Sequence, residues 1–206
     1  MKQEKTFNAP RNYISWSQFD SFKRDPERYI QHYIYGKEGF ENEAMRLGKK
    51  LAKRMETGEE SDKDIERVMI FMPELPAKEY KIRVDFQGIP LFGILDQFNP
   101  GAKRKIVRDT KSGLKYTQAM ADKLGQLTFY AMLVFAKYKK LPEKMFIDWA
   151  RTRRNEQGRL EFTGEVITFE TKRTMQDILL FYAKVNKAWS EIQAVTKKEY
   201  DKINGR

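Results

Sequence analysis

Apolar residues along this chain recur first with a helical period, then with a strand period, and then in a mixture of the two. Ser15-Trp-Ser17-Gln-Phe-Asp-Ser-Phe reads as a capped helix start, and Asp25-Pro26-Glu27 opens a second short helix that runs through Tyr29, Tyr33 and Ile34 to Gly36. From Glu41 to Thr57 the positions Ala44, Leu47, Leu51 and Met55 mark one helix face, with Gly58 as the stop, and a further helix spans about Asp62 to Phe71 before Pro73. The period then drops to two. Glu79-Tyr-Lys-Ile-Arg-Val-Asp-Phe alternates, Gln87-Gly88 turns, and two more runs, Pro90 to Asp96 and Ile106 to Lys111, complete three consecutive strands. Thr117 is placed to cap a long helix through Ala121, Leu124, Thr128, Ala131 and Phe135 to about Lys139, ended by Leu141-Pro142. A strand from about Met145 to Thr152 follows, then a hairpin turn at Asn155-Glu-Gln-Gly158 into Leu160–Val166. Thr171 is expected to cap a last helix with Ile178, Leu179, Tyr182, Val185, Trp189 and Ile192 inward, and the polar tail after about Thr196 is expected to fray. The element order is helix, three strands, helix, strand, with helices added before it and a hairpin plus helix after it.

At 206 residues, 40% hydrophobic and 13% aromatic, the chain suffices for one domain with a sizeable core. With 40 Lys+Arg against 29 Asp+Glu the formal charge is +11, which suggests a polyanionic partner; nucleic acid, anionic membranes and ribosomal association all fit that balance. The absence of cysteine excludes disulfides, cysteine zinc sites and cysteine-ligated iron–sulfur clusters. Met-Lys-Gln-Glu-Lys-Thr carries no apolar signal region and no 18-residue apolar run occurs, so a soluble, unexported, cytoplasmic protein with no membrane partner is expected.

The chemistry concentrates in the middle of the chain. Asp109 and Lys111 are two apart in Ile106-Val-Arg-Asp-Thr-Lys111, so on a strand both side chains leave the same face. Asp96 closes the preceding run, and the turn Asn99-Pro-Gly-Ala would pair the two runs antiparallel, placing two carboxylates around one cation. Gln126 and Tyr130 stand at i and i+4 on one helix face, where both can lean toward Lys111 or a substrate phosphate. Two hard carboxylates suit Mg²⁺ or Mn²⁺. Basic groups at Lys103-Arg-Lys105, Lys137-Lys139-Lys140 and Arg151-Arg153-Arg154 are candidates for backbone phosphates, or ordinary solvated charge. Trp149, Tyr182 and Trp189 read as core.

In order, Gly93-Ile-Leu-Asp96, Asp109-Thr-Lys111-Ser-Gly113 and Gln126-Leu-Thr-Phe-Tyr130 resemble the G-x-x-D, D-x-K and Q-x-x-x-Y motifs of the PD-(D/E)XK nuclease superfamily, in its RecB-like branch. The N-terminal Ser15-Trp-Ser17…Phe22…Asp25-Pro26…Tyr29 is similar to that branch's opening S-x-S-x-x-x-x-F-x-x-C-P-x-x-Y. The resemblance implies an α/β restriction-endonuclease-like αβββαβ core with a central mixed sheet, in one nuclease domain over 1–206. Its parts would be an N-terminal helical segment (1–39), the core (40–152), a hairpin and C-terminal helix (153–195) and the polar tail (196–206).

The same resemblance implies a Mg²⁺- or Mn²⁺-dependent DNA exonuclease that acts on single strands or duplex ends and leaves 5′-phosphate and 3′-hydroxyl ends. Asp96, Asp109 and the Thr110 carbonyl would hold the metal, Lys111 would orient water or neutralise charge, and Gln126 and Tyr130 would hold phosphate or Lys111. Glu79 matches a glutamate often found on the first strand of the sheet. Two departures stand out. Asp25 replaces the cysteine with which CRISPR-associated adaptation nucleases of this layout help hold an iron–sulfur cluster, so no cluster is expected, and Pro26 and Tyr29 would only pack. The helix histidine of G-x-x-x-H is Ala52 in Gly48-Lys-Lys-Leu-Ala52, and Glu56 one turn on, or less favourably Glu43, is the candidate oxygen ligand in its place. The only histidine, His32, reads as packed or solvated. The competing classes are a catalytically weak or inactive nuclease-fold module that binds DNA or a partner protein, and an RNA-processing nuclease.

Overall fold

The computed structural model describes residues 11–39, 41–59 and 62–204. Helices α1 (Trp16–Arg24) and α2 (Pro26–Tyr29) lead into a π-helical turn (Ile30–Ile34), and α3 (Glu43–Thr57) and α4 (Lys63–Phe71) precede the sheet. Then come β1 (Ala77–Phe86), β2 (Ile89–Phe98), β3 (Ile106–Gly113), α5 (Gln118–Lys123), α6 (Gly125–Tyr138), β4 (Lys144–Arg154), β5 (Leu160–Thr171) and α7 (Met175–Ile203). The strands lie side by side in chain order; β3 and β4 run parallel and every other neighbouring pair is antiparallel. This is the α/β architecture with a central mixed sheet expected from the sequence, including the αβββαβ order.

The mixed connectivity follows from chain length between strands. Gln87-Gly88 closes β1 onto β2 with both residues at positive φ, the tight turn that matches strand twist. Between β3 and β4 the chain instead crosses over through α5 and α6, as a parallel pair requires. Helix α6 is buried nearly all round, from Leu127 through Ala136, because it is sandwiched between the sheet and α7. It approaches β2 closely at Gly93, where any Cβ would run into the Leu133 side chain. A smaller apolar cluster, Leu51, Met55, Ile65, Val68, Met72, Ala150 and Phe162, seats α3 and α4 against the sheet.

Several boundaries differ from the sequence reading, each for a tertiary reason. The long helix expected from Thr117 to Lys139 is two helices, broken at an extended Leu124 (φ −66°, ψ 109°). Gly125 restarts it where a Cβ would stand 2.8 Å from the Trp16 ring, and the buried Arg173 guanidinium donates to the Ala121 and Leu124 carbonyls at the break. Strand β5 continues past Val166 to Thr171, which is buried and accepts a hydrogen bond from Arg173 instead of capping a helix. Thr174 is the cap, in a capping box with Asp177. The tail does not fray at Thr196: α7 runs to Ile203, tied down by the Tyr35 hydroxyl donating to Glu199 at 2.7 Å, and residues 205–206 lie outside the described residues. Leu179, expected inward, is exposed, as is Ala44.

Candidate active site

Strands β2 and β3 pair only at Gln97–Arg108 and Phe98–Val107 and then part. In the gap the Asp96 carboxylate stands in for a ladder carbonyl, its Oδ2 accepting the Thr110 N–H at 2.9 Å. Glu79, whose φ of 47° departs from strand geometry, and Asp96 fall at the step the β1–β2 ladder skips between Lys78–Gln97 and Tyr80–Leu95. A cavity of about 50 Å³, enough for a few water-sized groups at roughly 10–15 Å³ each, lies here. Glu56, Glu79, Asp96 and Thr110 line it, with Ala52 and Gly48 of α3 as part of its wall. Burial and then the Glu56 carboxylate push Glu79 above the usual carboxylate range, with Lys81 opposing them. Asp96 is pushed up to about 7, first by burial and then by Asp109, against the pull of Lys111 and the Thr110 N–H.

The other half of the site rises from the neighbouring residues of β3. Asp109 is fully buried, and its Oδ2 lies 2.6 Å from Lys111 Nζ; neither carboxylate oxygen has an oriented hydrogen bond. Lys111 also donates to Gln126 Oε1 at 2.8 Å, and Gln126 Nε2 donates to the Tyr130 hydroxyl at 2.8 Å. The i, i+4 pair on α6 therefore extends the ammonium into a relay. Burial raises Asp109, with Lys111 pulling it down. Burial alone would lower Lys111, but Asp109 and Asp96 outweigh it and hold the ammonium above its ordinary range.

The remaining candidates divide cleanly. Glu56 lines the cavity, whereas Glu43 is spent on the Leu160 N–H at 2.9 Å and on Arg154. His32 is exposed, its Nδ1 3.0 Å from the Lys37 carbonyl. The basic groups are largely engaged: Arg151 with Glu165, Arg153 with Glu161, Lys137 with Tyr80, while Lys105 turns inward to the Pro100 and Ala102 carbonyls. Trp149 and Trp189 are core. Tyr116 escaped the sequence reading because it lies in a loop with no period to mark it; its enclosed hydroxyl has no hydrogen-bond partner.

Among the described residues no three acidic or imidazole side chains converge into a ready-made metal cage. The donor set nonetheless fits a hard cation. Asp109 is a fully buried carboxylate met only by the Lys111 ammonium, and Asp96 is a desolvated carboxylate beside it, both relieved by a further positive charge. Mg²⁺ commonly keeps several waters and takes only one or two protein carboxylates, so two such groups with solvent space beside them are a sufficient beginning.

No protein-family profile matches the sequence, and no curated protein does. Solved structures do. A candidate exonuclease from Eubacterium rectale superposes with a TM-score of 0.59 at 15% identity, over 91% of this chain and 82% of that one. An alkaline exonuclease from Laribacter hongkongensis gives 0.56 at 13% identity over 94% of both chains, and the same enzyme in complex with dAMP gives 0.55 at 14% over 94% of both. At these identities the likeness establishes a fold shared with exonucleases. No helix among the described residues is long and apolar enough to cross a membrane.

Proposed function

We propose that this protein is a divalent-metal-dependent DNA nuclease of the RecB-like PD-(D/E)XK type, acting on DNA ends. The observation that carries the reading is the Asp109–Lys111–Gln126–Tyr130 chain beside the Asp96–Thr110 bond: a buried carboxylate pair and an ammonium held for chemistry that fold stability alone does not require. Asp96, Asp109 and the Thr110 carbonyl would hold Mg²⁺ or Mn²⁺, with Glu56 or Glu79 contributing from the cavity wall. When bound, the ion would polarise the scissile phosphate and activate water. Lys111 is positioned to meet the charge that builds on the phosphate oxygens, and Gln126 and Tyr130 fix its direction. The Laribacter exonuclease, solved with dAMP, supports a deoxynucleotide substrate.

The test is degradation of end-labelled single- and double-stranded DNA with Mg²⁺ or Mn²⁺, by wild type and by Asp109→Asn. Metal-dependent loss of label in the wild type, abolished in a folded Asp109→Asn, is expected. A wild type that cuts neither substrate with either ion refutes the activity. The second reading, a DNA-binding module without catalysis, draws on Ala52, which puts a methyl in the cavity wall where the family has its histidine. It predicts DNA binding without cutting.

A further inference from the structure

Tyr116 sits on the loop between β3 and α5, and its ring rests against Phe169 of β5 with centroids 5.7 Å apart. Phe169 lies opposite Ile147 of β4, and Ile147 lies level with Asp109 of β3. Residues in one row across a sheet project from one face. Tyr116 therefore lies over the face from which Asp109 and, two residues on, Lys111 project. Its hydroxyl is shut off from solvent and makes no hydrogen bond. Two other aromatic polar groups of this region are satisfied: Trp149 Nε1 donates to the Gly113 carbonyl at 3.1 Å, and the Tyr130 hydroxyl accepts from Gln126. An enclosed hydroxyl without a partner costs stability that phenylalanine in the same place would not.

Lys111 offers the complementary vacancy in bonding. An ammonium has three N–H donors, and this one has two partners, Asp109 Oδ2 at 2.6 Å and Gln126 Oε1 at 2.8 Å. The Lys111 charge is also near enough to Tyr116 to oppose the upward push that burial gives its hydroxyl. We infer that Tyr116 is a positioning residue whose hydroxyl accepts the third Lys111 N–H when the ammonium swings from Asp109 toward a substrate phosphate. The inference rests on the nuclease reading. Gln126 and Tyr116 then hold the ammonium from two sides, so that releasing Asp109 does not leave it free to rotate. No proton is transferred; the hydroxyl acts as an acceptor only.

Tyr116→Phe removes one oxygen and leaves the ring on Phe169. The expected result is a higher melting temperature of the protein without substrate, together with a fall of about tenfold in kcat on end-labelled DNA at unchanged KM. In a Lys111→Ala background the same change should cost no further activity. A lowered melting temperature would show that the hydroxyl already has a structural partner and would overturn the inference. So would an unchanged kcat, or an equal loss in the Lys111→Ala background, with the nuclease reading left standing because the wild type cuts. A wild type that cuts no DNA fails both together.

Discussion

Asp96 makes the coupling of charge, burial and stability measurable without any assumption about catalysis. Its pKa is pushed from 3.8 up to about 7, first by burial and then by Asp109. Between about pH 4 and pH 7 the folded protein thus holds a proton that the unfolded chain has released, so stability falls as pH rises through that window and the full cost is present above it. A shift of about three pKa units at roughly 1.4 kcal/mol each sets that cost at about 4 kcal/mol. Asp96→Asn removes the charge, and its side-chain oxygen still accepts the Thr110 N–H. In chelator-treated protein at pH 8 the variant should be more stable by about 2–4 kcal/mol, roughly 5–10 °C in Tm for a chain of this size. At pH 4 the folded carboxyl is protonated and the unfolded one only partly ionised, so the difference should shrink below about 1 kcal/mol. Calorimetry at the two pH values decides it. Equal stability at pH 8, or a gap that ignores pH, would show that Asp96 ionises freely, and the picture of a desolvated site awaiting a cation would fall.

Two further outcomes test other parts of the structure. Lys111→Ala should lower kcat by a factor on the order of 10² to 10³, the scale of losing one electrostatic stabiliser, while DNA affinity changes far less; a large affinity loss at unchanged kcat would make Lys111 a backbone contact instead. Gly93→Ala should destabilise by about 1–3 kcal/mol through overpacking against Leu133, and Leu133→Val in the same chain should recover most of it; denaturant titration of the single and double variants reads the coupling.

What the sequence disclosed follows the range of the forces involved. Asp109 and Lys111 share a face because a strand repeats every two residues, and Gln126 and Tyr130 share one because a helix returns after four; both spacings are local and both are realised in the relay. Thr174 was recoverable by the same logic, since Asp177 three residues on completes its capping box while Thr171 has no acid at that distance. The break at Leu124 was not, because the guanidinium that takes up its carbonyl comes from Arg173. The length of α7 likewise depends on Tyr35, at the other end of the chain, reaching Glu199.

The site itself is where local rules are broken. Three non-glycine residues among those described have positive φ, and two of them are ordinary: Gln87 in a hairpin turn and Lys139 at a helix end. Glu79 is neither. A residue in that conformation inside a strand carries a cost of about 1–3 kcal/mol that the surrounding structure must offset. With Asp96 it falls at the step the β1–β2 ladder skips, next to the point where β2 and β3 lose their ladder and a side-chain carboxylate replaces a main-chain acceptor. One residue further along β3, Asp109 is fully buried with only the Lys111 ammonium beside it. A strained backbone, an opened sheet and two desolvated acids each oppose folding, and all three fall within a few residues of one cavity. Sequences tolerate such conflicts where binding or chemistry needs the groups held ready. The concentration of these costs at Glu79 and Asp96 of the cavity wall and at Asp109 beside Thr110, against a sheet that is regular elsewhere except for a bulge near Ala150, is the physical reason for proposing this region as the site.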